Sequence, residues 1–369
     1  MISLSEESVL IIYATLGIVL GLTLERGRIC FVSAFRDVFM FKNPWLLNGI
    51  LISIGSTAIA TGLLSDYLGI RPIMLGTSWL VIVGGLIFGL GVSLAGACAS
   101  GMLFRIPEGY VANLLELVGF SAGVLLWAEF LEAPLSHMYS SPIGIYSILG
   151  LRADVYSLLT GAAFIIAGLY LGRFVPKKTQ TKKENQMSWT LDPRRAWDPR
   201  LAGLILAGIV TIMFVVTPTS LLGFTAPYAT LGAWFLSAVG INMRNVPWVG
   251  QWYLGIYPLL VLTICAFLGA ALGAGAGRNF RVRIPKNKIR LIQGTVGGML
   301  AGLGAGVGLG CNVGNFFVGF GERMDLAAVL FTPGLILGIY LGFKIDSMLA
   351  SRDFRKIESR ALPKKPVSR

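Results

Sequence analysis

Most of this chain consists of long apolar runs that short polar segments separate. Charged residues make up only 13% of the sequence, and the mean hydropathy is +0.73, which is far from the composition of a soluble domain. Backbone that crosses lipid must satisfy its own hydrogen bonds, so apolar runs of this length form helices. We therefore predict an all-α, polytopic membrane protein. Its apolar runs lie at 9–24, 45–64, 79–98, 110–130, 155–174, 201–222, 228–243, 252–275, 291–311 and 326–343.

Positive charge is concentrated in three of the polar segments. Residues 173–200 and 344–369 each carry eight Lys or Arg, and residues 278–290 carry six with no acid. All three flank apolar runs, which is the positive-inside pattern of cytoplasmic loops rather than a nucleic-acid-binding surface. The distribution of this charge, which is +13 in net, thus predicts a multi-pass protein of the cell inner membrane, with a cytoplasmic C-terminus and no nucleic-acid partner.

Two glycine-rich segments, 84–103 and 297–316, align without a gap at an offset of 213 residues. They share five glycines, a leucine and one cysteine each, and the pentapeptide YATLG also occurs once in each half. One copy of the motif per half predicts two related membrane repeats. The predicted units are a first repeat at 1–175, a cytoplasmic basic linker at 176–199, a second repeat at 200–348 and a cytoplasmic basic tail at 349–369.

The basic segments also constrain the topology. If all three are cytoplasmic, an even number of crossings separates each pair, yet three apolar runs lie between the first two. The short run at 228–243 is therefore predicted to be re-entrant, leaving the membrane on the side from which it entered. This places the loop at 65–78 outside and its repeat partner at 278–291 inside, so the halves are inverted, with eight or nine full spans. The side of the N-terminus stays open.

Cys98 and Cys311 are the leading candidates for a functional site. A lone membrane cysteine usually packs as a small buried residue. Here the cysteine recurs at one place in a duplicated motif, among glycines that leave room and beside the polar Ser100 or Asn312. Cys265 has no polar neighbours in its run and is interpreted as packing.

Other polar residues give weaker signals. Glu116 and Glu129 lie in one apolar run, where ionisable residues usually have a function, but Glu129 is close enough to the end of the run to be interfacial. His137 lies in a Pro- and Ser-rich loop and is interpreted as solvated. The four cysteines form no CxxC motif and no Cys/His cluster, so neither a metal site nor a cofactor is predicted.

Three segments resemble the YeeE/YedE family of sulfur-compound transporters. They are LERGRICFVSAFRDVFMFKN at 24–43, GACASGMLFRIPEG at 96–109 and RVRIPKNKIRLIQGTVGGMLAGLGAGVGLGCNVGNFF at 281–317. The resemblance implies a duplicated, hourglass-shaped helical protein that imports thiosulfate past cysteines at a central constriction, here Cys30, Cys98 and Cys311. The first segment is most similar to the selenium-associated YedE branch, which makes a selenium compound the alternative substrate. The family also implies a TusA-like cytoplasmic sulfur-carrier protein as a partner.

These observations lead to one hypothesis. Thiols in segments without ionisable neighbours are expected to stay neutral, and a neutral S–H is a weak donor that holds a small sulfur anion without trapping it. Basic residues at one mouth, Arg26 and Arg28, would concentrate the anion there. The chain is thus predicted to be a transporter in the lipid bilayer, not an enzyme. Its predicted substrate pathway comprises Cys30, Cys98, Cys311, Asn312, Ser100 and Arg28.

Two other functions compete with transport. A membrane thiol–disulfide redox protein would need a pair of cysteines that exchange electrons, and the lack of a CxxC motif argues against it. A structural membrane subunit would instead use the basic tail to dock a cytoplasmic partner. For Cys30, the competing interpretation is an interfacial loop whose basic neighbours follow the positive-inside rule.

Overall fold

The computed structural model describes residues 5–70, 72–175, 187–188, 191–217, 222–241, 253–285 and 288–361, and within these ranges the chain is almost entirely helical. The helices before the central linker are α1 (Glu6–Gly27), α2 (Phe31–Phe41), α3 (Trp45–Leu68), α4 (Leu80–Ala95), α5 (Ala99–Arg105), α6 (Val111–Leu126), α7 (Glu132–Leu135), α8 (Ile145–Ile148) and α9 (Ala153–Gly172). A π-helical turn, π1 (Trp127–Leu131), follows α6, and a 3₁₀ turn (Ser136–Met138) follows α7.

A two-residue parallel strand pair, β1 (Met187–Ser188) with β2 (Ala196–Trp197), lies in the linker. The helices after the linker are α10 (Pro199–Val216), α11 (Thr225–Ala238), α12 (Tyr253–Ala276), α13 (Lys288–Val307) and α14 (Leu326–Ala361). A second π-helix, π2 (Val313–Arg323), lies between α13 and α14.

Eight stretches of the described chain are long and apolar enough to cross a membrane. They are Glu6–Phe41, Trp45–Leu68, Leu80–Arg105, Val111–Met138, Ala153–Gly172, Pro199–Val216, Pro258–Ala276 and Leu326–Leu349. The predicted fold class, an all-α polytopic membrane protein, is confirmed.

Three helix lengths bear on the predicted boundaries. The 14 residues of α11 rise about 21 Å, which is less than the roughly 30 Å of a hydrocarbon core. This length agrees with a half-span. Met243, which aligns with Cys30 at the same offset of 213 residues, lies outside the described residues. By contrast, α1 has 22 residues and is long enough for a full crossing. The helix α14 continues through the start of the predicted tail to Ala361.

The two copies of the glycine motif pack directly against each other, as parts of α4 and α13. A Cβ atom built on Gly91 would lie 2.6 Å from the carbonyl oxygen of Gly297, and one built on Gly304 would lie 2.8 Å from that of Gly84. Gly84 corresponds to Gly297 in the motif, and Gly91 corresponds to Gly304, so the two contacts are equivalent. As α4 advances from Gly84 to Gly91, the contact on α13 moves back from Gly304 to Gly297. The helices α4 and α13 therefore run antiparallel.

The same reciprocity extends to the flanking helices. Gly89 on α4 packs against the carbonyl oxygen of Leu335 on α14, and its motif counterpart Gly302 on α13 packs against that of Phe120 on α6. Small residues that let backbones approach so closely are typical of helix contacts in membranes. The centre of the fold is thus a unit of four helices, α4, α6, α13 and α14. The helix α1 packs on α12, and α3 packs on α9 and α10.

The loops meet at two opposite ends of the bundle. At one, which we call the Thr77 end, isolated bridges join Thr77 to Ser140 and Gly144 to Asp325. At the other, the Arg283 end, Arg283 pairs with Tyr110 just before α6. Thr77 lies just before α4 and Arg283 lies just before α13, and these two helices are antiparallel. The loops at 65–78 and 278–291, which the charge pattern assigned to opposite sides of the membrane, therefore lie at opposite ends of the bundle.

Candidate functional site

Each of the three candidate cysteines lies where a helix is interrupted. Cys30 lies between α1 and α2, Cys98 between α4 and α5, and Cys311 between α13 and π2. A residue with left-handed backbone ends the helix before each cysteine, for example Gly96 (φ 96°) and Leu309 (φ 58°). The chain then restarts a helix at or just after the cysteine, so backbone N–H groups without an intrahelical partner lie beside each thiol.

Cys30 and Cys98 form one pair of thiols. Their Sγ atoms are 3.5 Å apart, and the Cys98 Sγ lies 3.2 Å from the hydroxyl of Ser100. Both cysteines are free thiols and are buried. A Cβ on Gly101 would lie 2.9 Å from the Cys30 Sγ, so this close approach requires glycine. Three of the predicted pathway residues, Cys30, Cys98 and Ser100, thus belong to a single site.

Arg105, at the end of α5, holds the interrupted segments together around this pair. Its guanidinium donates to the carbonyl of Gly96 (2.7 Å), two residues before Cys98, and to the hydroxyl of Ser33 (3.0 Å), three residues after Cys30. Arg105 was not among the predicted site residues, although it lies within the family-like motif. Its position at the end of an apolar segment was the only available signal.

Cys311 lies on a separate cavity, the Cys311 vestibule, which has a volume of about 240 Å³. Most of its wall is apolar, and Leu75 places it at the Thr77 end of the bundle. Its charged wall residues are Glu132 and Arg323. Cys311 itself is fully buried. The vestibule is therefore a largely apolar cavity with one thiol, one carboxyl group and one guanidinium in its wall.

Arg323 is tied to the interruption before Cys311 through Asn315. The Arg323 Nη2 donates to Asn315 Oδ1 (2.9 Å), and the Asn315 amide donates to the carbonyls of Gly308 (2.6 Å) and Gly310 (3.2 Å). Arg323 also forms an ion pair with Asp325, with 3.1 Å between Nε and Oδ2. An arginine thus supports the helix break in each half. Arg105 does so directly, and Arg323 does so through Asn315.

Asn312 is a buried side chain without a hydrogen-bond partner. It is 1% exposed, and neither its Nδ2 nor its Oδ1 has a partner among the described residues. An unsatisfied buried amide costs free energy, so such a group in a native structure usually meets a ligand or water. This observation favours the predicted place of Asn312 on the substrate pathway.

A small cavity, which we call the neck, lies between Ser100, beside the Cys30–Cys98 pair, and Val313 of π2. It has a volume of only about 10 Å³, and Phe31 also lines it. Tyr228 on α11 packs here, because its hydroxyl donates to the carbonyl of Ala99 (2.8 Å). A single water needs about this volume, so the neck is too small to hold an anion.

At the Arg283 end, Arg28 lies at the surface near the pair of thiols. Its side chain is 40% exposed, forms an ion pair with Glu108, and lies 5.9 Å from the ring centroid of Phe104. Burial raises the pKa of Glu108, although Arg28 lowers it. The prediction that Arg26, like Arg28, concentrates the anion at a mouth of the pathway was wrong. Arg26 is only 3% exposed and pairs with the buried Glu25, because it lies on the inner face of α1.

The remaining candidates lie away from the thiols or pack in the core. Cys265 packs against α1, where a Cβ on Gly17 would lie 2.8 Å from the Cys265 Cβ. Glu116 is buried and accepts a hydrogen bond from Asn113 (2.6 Å). His137 lies in the 3₁₀ turn of the Thr77 end, and the structure does not bring it to a thiol.

Comparison with known proteins identifies the family. Residues 26–341 match the family model for sulphur transport. The chain is 30% identical over 347 residues to the thiosulfate transporter TsuA of Spirochaeta thermophila, covering 87% of this chain and 94% of that protein. It is 29% identical over 326 residues to the thiosulfate transporter TsuA of Escherichia coli, with 82% and 85% covered.

A shorter match is to the probable transporter YedE of Escherichia coli, 32% identical over 176 residues, which cover 46% of this chain and 43% of that protein. All these relatives are named as transporters, in agreement with the prediction that the chain is not an enzyme. Because the family match spans most of its length, the chain belongs to the sulphur transport (YeeE/YedE) family of membrane transporters.

Proposed function

We propose that this protein imports thiosulfate, or a closely related small sulfur anion, past the thiols of Cys311, Cys98 and Cys30. The single observation that carries the proposal is that three buried thiols each lie at a helix interruption, with two of them 3.5 Å apart. Two relatives that cover most of the chain are named as thiosulfate transporters, which supports the substrate class.

The arrangement suits an anion that must bind and then leave. A neutral S–H is a weak donor, and the first N–H groups of a helix add affinity for an anion without a fixed charge. Successive weak contacts allow an ion to enter a site and also to leave it. The thiols are proposed to act as donors only, with no covalent step and no cofactor.

The direction follows from charge. By the positive-inside rule the Arg283 end is the cytoplasmic end, which gives a cytoplasmic C-terminus in the inner membrane. Thiosulfate would then enter the Cys311 vestibule from outside, pass the neck once it opens, and reach the Cys30–Cys98 pair and Arg28. The antiparallel pairing of α4 with α13 supports two inverted repeats, with the boundaries predicted above as the proposed domain limits.

Two arginines modify the picture of a purely neutral relay. Arg105 holds the helix breaks around the Cys30–Cys98 pair, and Arg323 lies in the wall of the Cys311 vestibule. A dianion is therefore expected to meet a guanidinium near each group of thiols. Arg323 is already paired with Asp325, so the vestibule is not an unopposed trap for negative charge.

Arg105→Lys is expected to reduce thiosulfate uptake about tenfold while the protein still folds. One ammonium cannot reproduce the two divergent hydrogen bonds of the guanidinium to Gly96 and Ser33. The two helix interruptions would then no longer be held together, and the distance between the Cys30 and Cys98 thiols would no longer be fixed. A lost charged hydrogen bond is worth about 1.5–3 kcal/mol, or at least about a factor of ten. Initial uptake rates in liposomes check this, with Arg36→Lys, a surface pair with Asp37, as the matched control. Unchanged uptake would show that Arg105 has no role in positioning.

The substrate is tested by competition in liposomes that contain the purified protein. Uptake of radiolabelled thiosulfate should be inhibited by unlabelled thiosulfate more strongly than by selenite, selenate or sulfate. The alternative substrate, a selenium compound, predicts the reverse order. Absence of thiosulfate uptake by folded protein would contradict the proposed function and favour a docking subunit.

The distance between Cys30 and Cys98 also favours a second candidate, a thiol–disulfide redox protein. The two Sγ atoms are close enough that a modest movement would allow a disulfide. Trapping a Cys30–Cys98 disulfide whose formation is stoichiometric with substrate turnover would support this function. Full uptake under strongly reducing conditions, with no disulfide formed, would exclude it and is the result we expect.

A cytoplasmic partner is proposed on electrostatic grounds. Arg278, Arg281 and Arg283 gather at the Arg283 end, next to the exposed face of Arg28. A small sulfur-carrier protein of the TusA-like type with an acidic surface would fit this region. Salt-sensitive binding of such a carrier to the protein in nanodiscs is the expected observation, and binding that is insensitive to salt would argue against this surface.

A further inference from the structure

A second cavity lies next to the Cys311 vestibule at the Thr77 end. Its volume is about 450 Å³, and its wall mixes polar and apolar side chains, so that it is more polar than the wall of the vestibule. Arg323 lines both cavities, and the adjacent Glu322 lines the polar one. The last turn of π2 therefore separates a polar cavity from the vestibule that holds Cys311.

Glu322 is a buried carboxyl group with an unused oxygen. Its side chain is 2% exposed, and its Oε1 has no hydrogen-bond partner in the described part of the chain. A buried carboxylate is expensive unless it is paired, so the neutral acid is favoured. Glu322 lies outside the eight candidate spans, and burial raises its pKa to about 8, although Arg323 lowers it. It is therefore mainly protonated at neutral pH.

The charged groups around Glu322 are already paired with one another, two arginines with three aspartates. The titratable or charged groups that face this region from π2, the loop after it, α3, α8 and α9 are Arg323, Asp325, Asp66, Tyr146, Arg152 and Asp154. Arg323 pairs with Asp325. Arg152 is 3.3 Å from Asp66 and 3.1 Å from Asp154. The carboxylates therefore already exceed the arginines by one. Ionisation of Glu322 would add a further uncompensated negative charge beside the guanidinium in the vestibule wall, and a dianion there would be repelled.

We propose that Glu322 is a proton-binding site that couples uptake of the sulfur anion to entry of a proton from the Thr77 end. The polar cavity gives the carboxyl access to protons, and protonation removes the charge that opposes an anion at Arg323 and Cys311. The proton and the anion then enter from the same side and leave together. This inference rests on the proposed function.

A proton fits this site better than a metal cation does. Among the described residues, no group of three Asp, Glu, His or Cys side chains could hold a metal ion. A sodium ion would need several oxygen ligands around one point. Glu322 offers a single carboxyl group next to a guanidinium, which suits a titrating acid.

The test uses liposomes with a pH-sensitive dye in the lumen, sodium-free buffer, and a membrane potential clamped by potassium and valinomycin. Adding radiolabelled thiosulfate outside should acidify the lumen of wild-type vesicles. Uptake should fall as the external pH is raised through about 8, as the acid ionises. Glu322→Gln should abolish acidification and the pH dependence but retain thiosulfate exchange. Glu7→Gln, an exposed carboxylate at the start of α1, is the matched control and should behave as wild type.

Several outcomes would overturn the inference. Thiosulfate uptake by wild type without acidification, uptake that requires sodium, or acidification retained in Glu322→Gln would each do so and leave the proposed function intact. Absence of wild-type uptake both without and with added sodium would overturn both. If Glu322→Gln does not give monodisperse protein, Glu322→Asp replaces it. The stronger acid should then move the loss of uptake to a lower pH, and an unmoved pH profile would contradict the assignment.

Discussion

Replacing Cys98 by alanine is expected to abolish growth on thiosulfate in a strain that lacks its other thiosulfate importers. The thiol of Cys98 lies between the Sγ of Cys30 (3.5 Å) and the hydroxyl of Ser100 (3.2 Å), so its loss removes the centre of the site. A hydrogen bond to a charged ligand is worth about 1.5–3 kcal/mol, which corresponds to about a tenfold to hundredfold loss of uptake.

Two further variants make this result specific. Cys98→Ser retains a small donor and should recover part of the uptake, whereas oxidation chemistry would be lost in both variants. Cys265→Ala changes a thiol that packs between α1 and α12 and should grow as the parent does. If Cys98→Ala supports growth on thiosulfate as well as the parent, Cys98 is not part of the pathway.

Gly91→Ala is expected to lower the stability of the protein by about 1–3 kcal/mol, the usual range for overpacking. The new Cβ would lie 2.6 Å from the carbonyl oxygen of Gly297, so α4 and α13 would have to separate. The equivalent change Gly304→Ala forces the same separation from the other helix. Thermal unfolding in detergent measures the effect as a fall in the midpoint temperature.

The control for this prediction is Gly208→Ala in α10. A Cβ on Gly208 would have no atom within 4 Å. Alanine is the better helix former by up to about 1 kcal/mol, so this change should be neutral or stabilising. Equal midpoints for Gly91→Ala and Gly208→Ala would show that the contact between the two motif copies does not hold the fold together.

The sequence contained the main features of the fold because they are periodic and local. Apolar runs predicted the helices, and the gapless offset of 213 residues paired Gly84 with Gly297 and Gly91 with Gly304. The structure brings these same glycines into reciprocal contact. Lengths near the membrane threshold were harder to assign, as α1 shows, because its last turn contains the charges that made the apolar run look short.

The arrangement of the site could not be predicted from the positions of its residues in the sequence, because it depends on how the helices pack. Cys30 and Cys98 are 68 positions apart and are not repeat partners, so their pairing follows only from how α2 and α5 fold back. Arg105 and Arg323 lie just after apolar segments, where a charged residue usually indicates the membrane–water interface. In the structure both side chains instead point inwards, because their hydrogen bonds support the helix breaks. Arg26 and Arg28 differ by two positions, so only one of them can lie on the exposed side of the helix end.

The most direct test of the account is uptake of radiolabelled thiosulfate by purified protein in liposomes, comparing the wild type with a variant in which Cys30, Cys98 and Cys311 are all alanine. Cys265 is retained in that variant. The account predicts uptake by the wild type and none above protein-free vesicles by the triple variant, with the same folded fraction in both. Uptake by the triple variant at the wild-type rate would contradict a pathway built on these thiols.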